Sequence, residues 1–192
     1  MSANNLDTKK AQGLALKIGI AGLVLFGLAL LFEQTRAQAF QSYILGYTFC
    51  MSLALGSFSI LLLQNVTGGR WGISIRRLLE AASSTIPYMA VLFIPIILGA
   101  AYIYPWAAPE AAHDHIVQMK VAYLNLPAFV VRTVIYFAIW SVMVNRLLKW
   151  SRAEDEGANV NDKLIRISAP GLVVYALTIT FASLDWLMSI EP

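Results

Sequence analysis

Cysteine and histidine are almost missing from this 192-residue sequence, which limits the chemistry that it can support. Cys50 is the single cysteine, so an internal disulfide framework and a four-cysteine cluster are both excluded. The two histidines, His113 and His115, flank Asp114 outside the long apolar runs, and we interpret this cluster as a solvated loop because no third strong ligand lies nearby. A haem between membrane helices needs axial ligands within those runs. We therefore expect no redox cofactor and no metal in this chain.

Charged residues are also scarce, at 13% of the chain, which is about half of what soluble domains carry. Hydrophobic residues reach 58%, more than one soluble core of this size would bury. Five apolar runs are each long enough to cross a hydrocarbon core of about 30 Å as a helix. They cover about residues 14–32, 43–63, 84–103, 126–148 and 168–190. The sequence therefore predicts an all-α transmembrane protein in which residues 1–192 form a single integral membrane domain.

Lysines and arginines are distributed unevenly between the two sides of the predicted membrane. If the N-terminus faces the cytoplasm, Arg36 and Lys120 alone fall on the opposite side, and Arg132 lies within a span. The positive-inside rule therefore predicts a multi-pass protein with a cytoplasmic N-terminus and an outward C-terminus. The cytoplasmic segments then hold the remaining basic residues, Lys9, Lys10, Lys17, Arg70, Arg76, Arg77, Arg146, Lys149, Arg152, Lys163 and Arg166.

Residues 73–83 combine apolar and charged positions, unlike the five apolar runs. The apolar positions share one helical face, and the charged positions lie elsewhere. This pattern predicts a short amphipathic helix on the inner leaflet that leads into the third span. The apolar face contains Ile75, Leu78, Leu79 and Ala82, and the charged residues are Arg76, Arg77 and Glu80.

Prolines and a polar segment indicate where the helices bend and end. Pro95 lies in the middle of the third span and predicts a kink, because it removes a backbone donor. Ser168 and Pro170 have the residue types of a helix N-cap and a first-turn proline, so they predict the start of the fifth helix. Residues 151–163 are polar and charged, which predicts a flexible cytoplasmic loop.

Two charged residues lie within predicted spans, where ionisable side chains are functional candidates. Arg132 lies about six residues into the fourth span, or roughly 10 Å, and Asp185 lies about five residues from the far end of the fifth. The two share a depth, and pairing would relieve the cost of burying either alone. Thr178 shares a helix face with Asp185, and Tyr136 lies one turn from Arg132. This set is a candidate polar pocket or proton path, and the alternative is a simple interhelical salt bridge.

Four segments between residues 62 and 192 read, in order, LLQNVTGGRWGISIRRLLEAASSTIPYMAVLFIPIILG, YPWA, YLNLPAFVVRTVIYFAIWSVMVNRLLKWS and SAPGLVVYALTITFASLDWLMSIEP, and the resemblance that they carry covers nearly the whole chain from about residue 45 onward. These segments together resemble the NrfD/PsrC-like membrane subunits of bacterial alternative complex III. More narrowly, they resemble the second such subunit, ActF, which is described as quinol:cytochrome c oxidoreductase quinone-binding subunit 2. Members of that family are longer, so the resemblance implies that this sequence corresponds to the N-terminal half of such a subunit.

This resemblance implies an NrfD-like bundle in the bacterial inner membrane, within a respiratory quinol:cytochrome c oxidoreductase. The implied partners are a multihaem cytochrome c, an iron–sulfur protein and a sister NrfD-like subunit, with a terminal oxidase as a further acceptor. Haem c and iron–sulfur clusters then belong to those partners, while this chain is a cofactor-free, non-redox subunit in the lipid bilayer without a nucleic-acid partner. The family's quinol site, with a membrane histidine, belongs to the sister subunit. Here Asp185, within Leu184-Asp185-Trp186, is the candidate for proton translocation, and Arg132, Tyr136 and Thr178 complete the candidate proton path or quinone pocket.

Two other functions fit the same sequence. Half of a secondary transporter would also use a kinked span and intramembrane charges, but it should show a related repeat and a site at the membrane midplane. A purely structural membrane anchor would use Arg132 and Asp185 only to hold two helices together.

Overall fold

The computed structural model describes residues 8–69, 71–109 and 115–190. Within these ranges the regular structure is entirely helical, and five helical stretches are long and apolar enough to span a membrane. The predicted all-α class and the five candidate spans are therefore confirmed. The stretches are Gln12–Leu30, Glu33–Thr67, Ser74–Leu98, Leu126–Asp155 and Asn161–Ile190.

Helices α1 (Thr8–Leu30) and α2 (Glu33–Thr67) form the N-terminal part of the bundle. No residue in the apolar window of α1 is buried, and α1 meets α2 near its own C-terminal end, where the Phe26 and Phe40 rings lie 5.6 Å apart. With 35 residues, α2 is about 52 Å long and exceeds the hydrocarbon core of about 30 Å. Its ends therefore extend well beyond the predicted run of residues 43–63.

The third candidate span is a helix broken into three pieces, and a fourth short helix follows it. The break at Phe93 lies two residues before Pro95, which agrees with the predicted interruption. The span begins at Ser74 rather than near residue 84, because its first piece packs along α2 and leads directly into the next. Placement of that first piece on the inner leaflet stays a prediction. The pieces are α3 (Ile73–Ser83), α4 (Ile86–Leu92) and α5 (Ile94–Leu98), and the helix that follows is α6 (Ala100–Ile103).

Two tyrosines of α2 bind backbone carbonyl groups beside this break. The Tyr43 hydroxyl donates to the carbonyl of Leu92 over 2.7 Å, and the Tyr47 hydroxyl donates to that of Met89 over 3.0 Å. A hydrocarbon core contains no water to satisfy carbonyl groups that a broken helix leaves free. The two hydroxyl groups therefore make the break compatible with a position inside a membrane.

A short helix α7 (His115–Lys120) precedes the two long helices α8 (Leu126–Asp155) and α9 (Asn161–Trp186). Residues 156–160 alone connect α8 to α9, so the predicted flexible loop over residues 151–163 is wrong at both ends. The last turn of α8 is ordered because its polar side chains bind α3. Ser151 donates to Glu80 over 2.5 Å, and Glu154 forms an ion pair with Arg76 at 2.6 Å.

The predicted start of the fifth helix is also wrong, because α9 begins at Asn161 and Pro170 lies inside it. Proline leaves the carbonyl four residues earlier without its donor, and here that residue is the exposed Arg166. Ser168 does not cap the helix. It is fully buried and accepts a hydrogen bond from the Asn65 amide of α2 at 3.2 Å.

Aromatic side chains from α4–α5, α8 and α9 form the core beside the C-terminal end of α9. Trp186 lies at its centre, with ring centroids 4.7 Å from Phe93, 5.5 Å from Phe137 and 5.9 Å from Trp140. Edge-to-face and offset contacts of this kind favour one relative rotation of the helices. The cluster therefore fixes the last turns of α9 against α8, where the candidate site residues lie.

Candidate functional site

An ion pair between Arg132 of α8 and Asp185 of α9 is the centre of the candidate site. The Arg132 Nε donates to Asp185 Oδ2 and its Nη2 donates to Oδ1, both over 2.9 Å. The Asp185 side chain is 0% exposed and that of Arg132 is 20% exposed. This bidentate geometry balances a carboxylate that would be costly to bury alone. The pairing that the shared depth predicted is confirmed.

Tyr136 and Thr178 lie on either side of Trp140 beside this pair. The Tyr136 hydroxyl donates to Asp185 Oδ2 over 2.8 Å. The Trp140 indole donates to the Thr178 hydroxyl over 2.8 Å, and its ring stacks on that of Tyr136 with centroids 6.0 Å apart. The structure therefore brings Arg132, Tyr136 and Asp185 into direct contact and connects Thr178 to them through Trp140.

Local sequence explains why these side chains share one interface. The Asn125 side chain accepts from the N–H of Ala128 over 2.9 Å, and Pro127 lies in the first turn, so the start of α8 is defined. Arg132 and Tyr136 are one turn apart and project from the same face. On α9, Thr178 and Asp185 are two turns apart and also share a face.

Tyr123, in the segment before α8, covers the exposed side of Arg132. Its carbonyl accepts from Arg132 Nη1 over 3.1 Å, and its ring lies 4.0 Å from the guanidinium carbon. Partial burial beside the ion pair raises the pKa of the Tyr123 hydroxyl above its ordinary value. The sequence did not indicate this residue, because a contact from a non-helical segment has no periodic signal.

Three further hydrogen bonds hold the turn of α9 that carries Asp185. The Ser189 hydroxyl donates to the Asp185 carbonyl over 2.5 Å, and the Trp186 indole donates to the Thr133 hydroxyl over 3.1 Å. The Tyr104 hydroxyl donates to the Trp186 carbonyl over 3.1 Å. Sequence reasoning missed these residues as well. The sequence indicates these residues only in that they are polar or aromatic and lie within or beside apolar runs.

Concave surfaces lie beside the cluster, and Asp185 lines neither of the two larger ones. A cleft of about 500 Å³ lies beside Tyr123, between the segment after α7 and the end of α9. A groove of about 590 Å³ lies between α2 and the residues that follow α9. The cleft is lined by Met119, Lys120, Ala122, Tyr123, Leu124, Leu184, Met188 and Ser189. The groove is lined mostly by apolar side chains, including Ile44, Leu45, Phe49, Ile103, Leu187 and Ile190.

The sequence cluster His113-Asp114-His115 cannot be placed. His113, Asp114 and the side chain of His115 lie outside the described residues. In the ranges that the structure does describe, no three His, Cys, Asp or Glu side chains come together as a metal site. The expectation that this chain holds no metal stays a prediction.

Comparison of the whole chain with profiles of known protein families and with curated proteins found no match.

Proposed function

We propose that this chain is a cofactor-free membrane subunit of a bacterial respiratory quinol:cytochrome c oxidoreductase of the alternative complex III type. The resemblance of its sequence segments to NrfD-like subunits supports this, and the all-helical bundle with five candidate spans is compatible with it. In this proposal the N-terminus is cytoplasmic. Partner subunits hold the haem c groups and iron–sulfur clusters, and this chain contributes to the quinone side and to proton translocation.

A buried carboxylate in contact with a hydroxyl group is the observation that carries the functional part of this proposal. Asp185 accepts from Tyr136 over 2.8 Å inside a bundle of apolar helices. Carboxylates within membrane spans are expensive to bury and commonly belong to proton relays or ion paths. The Trp140–Thr178 hydrogen bond lies two turns along α9, and stacked Tyr136 and Trp140 rings separate it from the carboxylate. In this proposal Asp185 and Tyr136 form one end of a proton path between α8 and α9, and Thr178 lies further along it.

Quinone binding is the second role that the geometry supports within the same complex. The cleft beside Tyr123 and the apolar groove beside α2 both open at the surface near the end of α9. Because Asp185 lines neither, a headgroup in the cleft would contact Tyr123 and Ser189 before it reached the carboxylate. A headgroup seen against Arg132 and Asp185 in a density map of the complex would favour this role.

The decisive experiment is the Asp185→Asn variant in the assembled complex. The amide keeps the shape of the side chain but removes its charge and its capacity to carry a proton. Positioned proton-transfer groups contribute about 10²–10⁴-fold. We therefore expect quinol:cytochrome c turnover, or the proton yield per electron, to fall about tenfold or more.

The matched control is Asp162→Asn, because Asp162 lies on the same helix but is exposed. It should leave turnover and proton yield unchanged. If Asp185→Asn also leaves both unchanged in a normally assembled complex, the structural anchor is correct and the proton path is wrong. Purification without haem c subunits would instead favour half of a secondary transporter.

A further inference from the structure

Two acidic residues at the C-terminal end of α8 form ion pairs with α3. Glu154 and Asp155 bind the arginines of α3, Arg76 and Arg77. Glu80 of α3 lies between them, buried, and accepts from Arg76 Nε over 3.0 Å and from Arg77 Nη1 over 2.8 Å. Glu154 and Asp155 are therefore occupied by the arginines of α3.

A basic stripe lies on the face of α8 opposite Glu154, and its Arg152 is one turn from Asp155. Asn145, Lys149 and Arg152 follow one another at one-turn spacing, and all three are exposed. They line a shallow groove of about 360 Å³ together with Leu148, Ala153 and Glu156. Among the residues that the structure describes, Lys149 and Arg152 have no ion-pair or side-chain hydrogen-bond partner. Their charges are therefore free to bind an anion.

The position of the groove along α8 matches the depth of lipid headgroups. Exposed apolar side chains follow α8 as far as Val142, as expected of a surface that faces hydrocarbon chains. Lys149 and Arg152 lie about 10–15 Å further along the helix. Leu148 and Ala153 supply apolar contacts beside the two cations. This arrangement suits a molecule with an anionic head and an apolar body.

We propose that this stripe, formed by Asn145, Lys149 and Arg152, binds the phosphate of an anionic phospholipid. The Arg152 guanidinium can hold two phosphate oxygens at once, the Lys149 ammonium adds a point charge, and the Asn145 amide donates to an ester oxygen. Glu156 also lines the groove, one turn beyond Arg152, and its negative charge would repel a phosphate there, so the headgroup would bind on the Lys149 side. Anionic lipids attract basic segments of this kind to the cytoplasmic surface of a membrane.

The test counts lipids bound to the full chain after mild detergent extraction, by native mass spectrometry. The probes are phosphatidylglycerol and, for comparison, phosphatidylcholine, at equal concentration. The wild-type chain should retain phosphatidylglycerol in preference. The double variant Lys149→Gln/Arg152→Gln should retain at most about one tenth as much phosphatidylglycerol as the wild-type chain. The reason is that it loses charge-assisted hydrogen bonds, which contribute more than neutral ones.

The matched control is Lys163→Gln/Arg166→Gln, which removes two exposed cations at the start of α9, outside the groove. It should retain phosphatidylglycerol within about twofold of wild type, since a diffuse surface field does not hold one lipid in dilute detergent. Equal losses in both variants, or no preference for phosphatidylglycerol, would overturn the proposal. Displacement of the lipid by millimolar inorganic phosphate would show a free-phosphate site instead. All four residues are exposed, and circular dichroism checks that each variant folds.

Discussion

Three side-chain donors satisfy the buried carboxylate of Asp185. Two belong to Arg132 and one to Tyr136, at 2.8–2.9 Å. Burying a charge costs several kcal/mol unless it is both paired and hydrogen-bonded. Arg132 and Asp185 therefore stabilise the α8–α9 contact only as a pair, because either charge alone would be buried without its partner.

Removal of Arg132 alone should therefore be worse than removal of the whole pair. We expect Arg132→Leu to lower the free energy of unfolding by about 3–5 kcal/mol, because it leaves the Asp185 carboxylate buried without its cation. The double variant Arg132→Leu/Asp185→Leu should recover most of that loss. Reversible unfolding in mixed micelles of a mild detergent and dodecyl sulfate measures both.

Arg146→Leu is the control for that comparison, because Arg146 lies on the same helix and is exposed. It should change the free energy of unfolding by less than about 0.5 kcal/mol. If the single and double variants at the site lose equal stability, the carboxylate is not balanced by Arg132. The double variant Arg132→Leu/Asp185→Leu also distinguishes the two roles of the pair. If the complex that contains it is stable but has no turnover, the pair has a functional role and is not only an anchor.

At this scale the sequence predicted those contacts that depend on helix geometry alone. Equal depth in two antiparallel spans brought Arg132 to Asp185, and one-turn spacing added Tyr136. The sequence did not predict the contacts of Tyr123 and Trp140, for two different reasons. Tyr123 approaches from outside the helix, and the Trp140–Thr178 bond depends on the rotation of α8 against α9, which the aromatic core sets.

Among the helices, the break in the third span is stabilised by another helix and not by its own sequence. The helix breaks at Phe93, beside Pro95, and there Tyr43 and Tyr47 of α2 donate to the carbonyls of Leu92 and Met89. Tyr47 is buried, and its bond to the Met89 carbonyl is sheltered from water. The hydroxyl group of Tyr47 is therefore expected to contribute more than an exposed one.

Tyr47→Phe tests this dependence between helices. The variant keeps the aromatic ring but leaves the Met89 carbonyl without that donor, so it should cost about 1–3 kcal/mol in the same unfolding assay. Tyr88→Phe is the matched control, because Tyr88 of α4 is 73% exposed. Equal, small effects of the two substitutions would mean that the carbonyl beside the break finds another donor.

Helix ends were harder to predict than helix positions. Apolar runs located all five candidate spans, because burial in lipid demands long apolar stretches. Where a helix ends depends on local partners that hydropathy does not describe. The α8 end is extended by ion pairs to α3, and α9 continues through Pro170, which removes the donor to the carbonyl of the exposed residue Arg166.

For the molecule as a whole, opposite ends of the bundle hold opposite kinds of polar structure. The ion pair of Arg132 and Asp185 lies near the start of α8 and the end of α9. The charged contacts between α3 and α8, and the exposed basic stripe, lie at the other end. The proposed orientation places the basic end, with the lipid site, at the cytoplasmic side. It places the ion pair, with the proposed proton path, at the opposite side.

Single-cysteine labelling tests this orientation directly. In a Cys50→Ser background, Gln34→Cys and Glu156→Cys each introduce one exposed thiol, and three candidate spans separate the two positions. An odd number of spans places them on opposite sides, and the positive-inside rule places residue 156 in the cytoplasm. In inverted membrane vesicles a membrane-impermeant maleimide should therefore label Glu156→Cys at once and Gln34→Cys only after permeabilisation. The reverse pattern would contradict the orientation. Labelling of both from one side would contradict the three intervening crossings, because an even number of crossings returns the chain to the side on which it began.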